Sequence, residues 1–138
     1  MASGVYSTGV KAIMDGDVDL LADTIKAVLV DAADYTVNLT THDFLDDVAS
    51  GARATNGTGT LASKTTTIAT NVVTFDAADL TLTSVTGDQS EAVVIYKDTG
   101  SEATSQLIAY LELSSAVTPN GGNITLQWNA SGLFTFTR

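Results

Sequence analysis

Residues 123–129 alternate cleanly, with Ile124, Leu126 and Trp128 on one side and Thr125 and Gln127 on the other. That is the period of a strand with one covered face. Residues 133–138 repeat it, setting Phe134 and Phe136 opposite Thr135 and Thr137. Asn129-Ala130-Ser131-Gly132 between them has turn composition, so the two runs are expected to pair as a hairpin that closes the chain. Residues 92–96 and 107–113 are apolar at nearly every position, which predicts central strands covered on both faces. The connection through Lys97, Asp98, Thr99, Gly100 and Ser101 supplies Asp and Gly at turn positions, so this pair is expected to be antiparallel. Leu80 and Leu82 alternate with Thr81 and Thr83, and Val72 to Phe75 is a short run. Both read as strands, separated by the polar corner Asp76-Ala77-Ala78-Asp79.

The N-terminal third is mixed. Ile25, Val28 and Leu29 fall at helical spacing, but β-branched residues crowd the second half of 23–30 and Asp31 to Asp34 ends it, so a strand is expected. Short helices are predicted over 7–14 and over 41–48. In the second, Thr40 or Thr41 can cap, Asp43 lies in the first turn, and Phe44, Leu45 and Val48 make one apolar stripe. Residues 1–18 read as an N-terminal arm. Residues 50–64, which include Asn56-Gly57-Thr58-Gly59, read as a flexible loop. The fold class is then mainly β: one antiparallel β-sandwich domain over 1–138, with one or two short helices in the N-terminal third. Ile95, Leu107, Leu111, Leu126, Trp128 and Phe134 are its expected core.

Composition narrows the function. Of 138 residues, 44% are apolar and 16% charged, enough to bury a core in one domain. Sixteen acidic against six basic residues give a net charge of −10. Such a chain cannot neutralise a phosphate backbone or an anionic leaflet, so nucleic acid and membrane are not expected partners. With no Cys, disulfides, thiolate metal sites and Cys nucleophiles are excluded. No run reaches the length of a membrane span, and the first residues lack the basic start and apolar core of a signal peptide.

Candidate chemistry is sparse. Asp15, Asp17, Asp19 and Asp23 resemble the opening of a calcium loop, but the sixth position is Leu20 rather than Gly and the twelfth is Lys26 rather than Glu. His42, the single His, would have to serve any Ser-His-Asp arrangement, with Asp43, Asp46 and Asp47 near it only in sequence. Glu91, Glu102 and Glu112 are the only Glu residues, without an evident aromatic platform for glycoside chemistry. Asn38, Asn56, Asn123 and Asn129 match the glycosylation pattern, as a Thr-rich chain does by chance. Tyr96, Tyr110, Trp128, Phe134 and Phe136 read as core more readily than as a ligand platform. No catalytic, cofactor-binding or metal-binding residue is assigned, and an enzyme is not expected.

Several phrases in order carry a resemblance: Asp23-Thr24-Ile25-Lys26 running into Val28-Leu29-Val30, then Thr41-His42-Asp43-Phe44-Leu45-Asp46-Asp47-Val48. Phe75-Asp76-Ala77-Ala78-Asp79, Val94-Ile95-Tyr96-Lys97-Asp98-Thr99-Gly100 and Leu107-Ile108-Ala109-Tyr110 follow. The series resembles a family of small tailed-bacteriophage virion proteins, from about Asp19 to the C-terminus. It departs from that family at Tyr35-Thr36-Val37-Asn38-Leu39, which is more polar. The resemblance implies a head decoration (cement) protein on the virion surface, assembled in the bacterial host cytoplasm. Its expected partners are the major capsid protein and itself, as a homotrimer. A tail or fibre component with receptor- or glycan-binding is the alternative. Attachment is expected to rest on buried apolar and backbone contacts, with the carboxylates facing solvent.

Overall fold

The long apolar runs become the centre of the molecule. The structure is a computed structural model and describes residues 3–138. Strands β2 (Ile25–Val30), β7 (Ser90–Lys97) and β8 (Leu107–Val117) lie side by side, flanked by β1 (Gly4–Val5) and β3 (Arg53–Thr60) in the order β1-β8-β7-β2-β3. Every pairing is antiparallel, with Val28 opposite Val94 and Val94 opposite Tyr110. Two smaller sheets complete the strands. One is ordered β10-β5-β4, from β4 (Thr65–Ala69), β5 (Val72–Asp76) and β10 (Phe134–Thr137); the other pairs β6 (Leu80–Leu82) with β9 (Ile124–Leu126).

Both faces of the large sheet are covered, which is why its strands carry no alternation. Ala27, Leu29, Val93, Ile95 and Ala109 meet Phe75, Leu82, Leu126 and Leu133 of the smaller sheets and their flanks, giving a sandwich-like body. Val28, Val30, Val94 and Tyr110 are covered instead by residues of the 31–52 segment, including Tyr35, Val37, Leu45 and Val48. At roughly 25 cal/mol per Å² of apolar area removed from water, these two clusters are the main source of stability.

The N-terminal segment is not a free arm among the described residues. β1 pairs with β8, Tyr6 is fully buried, and helix α1 (Ser7–Asp15), close to its expected bounds, crosses β8. The crossing is close. A Cβ on Gly9 would stand 2.3 Å from the Leu107 carbonyl oxygen, so only glycine fits.

Three further expectations are corrected. Residues 41–48 form no α-helix. Phe44 is extended and bridges Gln106, Leu45 N–H donates to Ser105 O and Leu107 N–H to Asp43 O, leaving one 3₁₀ turn, Leu45–Asp47. Tertiary pairing outweighs a weak local helical preference. Residues 50–60 are not a loop but a 3₁₀ turn, Ser50–Ala52, followed by β3, and only 61–64 are irregular. Its glycines mark close approach, not freedom: a Cβ on Gly59 would fall 2.9 Å from Leu80 and Leu82. The last two runs do not pair with each other, since β9 pairs with β6 and β10 with β5. Of the expected core, Ile95, Leu107 and Leu126 are buried, whereas Leu111, Trp128 and Phe134 are partly buried at its margin.

Candidate interaction surface

The three-stranded sheet has two unlike faces, set by register. Phe134 lies opposite Phe75, and Phe75 opposite Thr66, on the core face. One residue along, on the outer face, Thr135, Thr74 and Thr67 form a cross-strand row. Thr65 and Thr137 lie on the same face by alternation. On the neighbouring small sheet Thr81 lies opposite Thr125, their hydroxyls 3.0 Å apart. With strands spaced by about 4.8 Å, the Thr135–Thr74–Thr67 row is a regular line of hydroxyl side chains, flanked on the same face by Thr137–Val72–Ala69 and by Asp76 opposite Thr65.

Charge is sparse on it, the carboxylate of Asp76 opposite Thr65 being on the same face. β4, β5, β6, β9 and β10 contain one charged residue, Asp76, and residues 113–137 contain none. None of the sixteen carboxylates is buried. The protein therefore presents a threonine layer with one carboxylate, Asp76, at its end on a body of net charge −10.

The sheet also ends in an unguarded edge. All five residues of β4 are exposed, and Ile68 is 77% and Val73 39% exposed. Ile68, Val73 and Phe136 lie in one cross-strand row on the core face, at the end of the sheet beyond Phe75. β4 has no Pro, no charge and no break in its pairing with β5, the devices by which edge strands are usually protected.

A groove of about 640 Å³ lies beside this layer, lined by Leu113, Gln127, Trp128, Asn129 and Phe134 among others. Trp128 is anchored at its rim, its indole N–H donating to Ala78 O at 2.9 Å and its backbone N–H to Asp79 Oδ1 at 3.0 Å.

The sequence candidates are dispersed. Asp15 pairs with Lys11. Asp19 Oδ1 accepts the N–H groups of Leu21 and Ala22 at 3.0 Å each, and Asp23 Oδ2 accepts Asp19 N–H at 2.8 Å and faces Lys97 at 3.0 Å. The Asp19 N–H and Lys97 together hold the Asp23 carboxyl below its ordinary range. These groups close a turn on themselves and are not gathered round a cation. Glu91 Oε2 accepts Ala32 N–H, while Glu102 takes both guanidinium arms of Arg53 at 2.8 and 2.9 Å, which lowers its carboxyl's pKa. His42 Nδ1 faces the Tyr35 hydroxyl at 2.9 Å and the Asn38 N–H, not a carboxylate oxygen. Tyr96 and Tyr110 are core residues. One acidic grouping had no sequence signal: Asp31, Asp34 and Asp88 bring carboxylate oxygens within 4.8 Å of one another. Asp31 and Asp34 share a turn, but Asp88 arrives from the segment before β7.

No protein-family model and no curated protein sequence matches the chain.

Proposed function

We propose that this protein is a structural component of a tailed-bacteriophage virion, a decoration protein that lays its threonine face on the outside of the capsid lattice. The observation that carries the reading is the neutral Thr135–Thr74–Thr67 row on an otherwise acidic molecule. Asp76, opposite Thr65, sits at one end of this face, and the threonine row beside it can be removed from water without stranding an ion. Threonine supplies methyl groups for apolar contact and hydroxyls that satisfy a partner's polar groups. The carboxylates stay solvated on the remaining surface, where they keep free copies apart. The resemblance of the ordered phrases to phage virion proteins points to the partner, the major capsid protein.

The assay adds purified protein to undecorated capsids over a salt series. Occupancy that persists to about 0.5 M salt, where screening has shortened to roughly 4 Å, supports apolar docking. Thr74→Arg with Thr135→Arg should abolish occupancy, while Asp15→Asn, Asp17→Asn and Asp19→Asn together should leave it unchanged. The reverse pattern would mean that the acidic side faces the lattice.

A second reading draws on the groove. Trp128 with the neighbouring amides of Gln127 and Asn129 offers the stacking surface and neutral hydrogen bonds that a glycan uses. Saturable binding to a glycan panel, lost in Trp128→Ala with the fold intact, would favour a tail or fibre component.

A further inference from the structure

We propose that β4 is a self-pairing edge: two copies of this chain join β4 to β4, antiparallel, about a two-fold axis through Thr67. The parity of the hydrogen bonds carries the argument. Arg138 N–H donates to Asn71 O at 3.0 Å, so the backbone groups of Asn71, Val73 and Phe75 are directed at β10. Those of Val72, Thr74 and Asp76 then point to β4, because directions alternate along a strand. Their partners Ala69, Thr67 and Thr65 point back to β5. Thr66 and Ile68 are left with N–H and C=O directed outward, on a strand whose five residues are all exposed.

A two-fold axis through Thr67 sets Thr66 of one copy opposite Ile68 of the other, twice. Those are the two residues with free backbone groups, and they exchange four hydrogen bonds with no change of register. Both faces match as well. On the outer face the row becomes Thr135–Thr74–Thr67, then the same three in reverse, which doubles the length of the threonine row. On the other face, Phe136–Val73–Ile68 of one copy runs into Thr66–Phe75–Phe134 of the next. No charged side chain of β4 meets its counterpart, so the net charge of −10 on each copy repels only at a distance and is screened by salt. An isologous contact of this kind closes on itself and leaves no further β4 edge open.

The pairing deepens the docking reading but does not depend on it. The first measurement is sedimentation equilibrium on the full chain without capsids. It should give a dimer with Kd on the order of 1–100 µM, tighter at higher salt. Ile68→Lys should weaken it at least about tenfold, since an edge lysine blocks strand addition. Ile68 is largely exposed, so the melting temperature of the folded chain should barely move.

The second measurement is Thr67→Cys, which installs the molecule's single Cys at the axis. In a pair without mutual hydrogen bonds the two Cα atoms lie roughly 4.5 Å apart, within disulfide range. Mild oxidation should therefore crosslink Thr67→Cys far faster than Thr65→Cys, whose opposite residue is Ala69. A chain that stays monomeric, forms a trimer, or crosslinks equally through both positions overturns the proposal. A monomer that still binds capsids would leave the docking reading standing; a dimer of the stated geometry that binds none would do the opposite.

Discussion

The hydroxyl of Tyr6 stands 2.8 Å from the hydroxyl of Tyr35, both rings buried between β8 and the 31–52 segment. The direction of the bond is set by His42. Its Nδ1 faces the backbone N–H of Asn38, which can only donate, so Nδ1 is an acceptor. Tyr35 therefore donates to His42 and accepts from Tyr6. The chain of three ties the N-terminal segment to the segment covering the sheet.

Removing the middle hydroxyl should hurt more than removing the end one. Tyr6→Phe deletes one bond and leaves no orphan donor, a cost of about 0.5–1.5 kcal/mol. Tyr35→Phe strands the buried Tyr6 hydroxyl as well, so about 1–3 kcal/mol is expected. Urea unfolding of the two variants measures the order, and equal costs would reject the relay.

All four tyrosines have phenols pushed up by burial, Tyr35 and Tyr96 to about 12. The folded state thus keeps these protons above the unfolded value of about 10. Stability is whole below pH ~10 and is lost as pH rises towards ~12. Tyrosinate absorbance should stay flat through pH ~10 and then rise in one step with the loss of β-sheet circular dichroism. A tyrosine titrating near 10 in the folded protein would contradict this packing.

At an exposed helical position Gly→Ala gains about 1 kcal/mol. At Gly9 the sign should reverse, because the new methyl meets the Leu107 carbonyl and Ile108 Cα at 2.3 and 2.9 Å. Overpacking against backbone costs about 1–3 kcal/mol. A thermal midpoint at or above that of the parent would show that α1 can lift from β8 freely.

Ser90 is 1% exposed and its Oγ has no hydrogen-bond partner among the described residues. Ser90→Ala removes a desolvated hydroxyl and should be neutral or stabilising by up to about 1 kcal/mol in a denaturant titration. A loss greater than that would indicate that the hydroxyl is satisfied.

The strands that could be read from sequence are those whose burial leaves a mark. β2, β7 and β8 are covered on both faces, so their apolar runs are continuous. β4 left no mark, because Thr65 to Ala69 are all exposed and no apolar period forms. β3 was hidden by glycines that serve close packing against Leu80 and Leu82, and glycine also signals loops. Alternation identified β9 and β10 but not their partners, since period 2 fixes faces and says nothing of which strand lies alongside. The threonine face has the same character. Its residues were visible as composition, but the row Thr135–Thr74–Thr67 exists only through register, across the β4–β5 hairpin and with β10 about 60 residues further on.

The central claim is that this chain coats a phage head with its threonine face inward. The most direct measurement is electron microscopy of purified virions together with subunit counting by quantitative mass spectrometry. The account predicts copies in the hundreds on the head lattice, with β4, β5 and β10 against the capsid and the Asp15 to Asp47 region outward. A few copies per particle, a ring at the tail, or an acidic side turned to the lattice would contradict it.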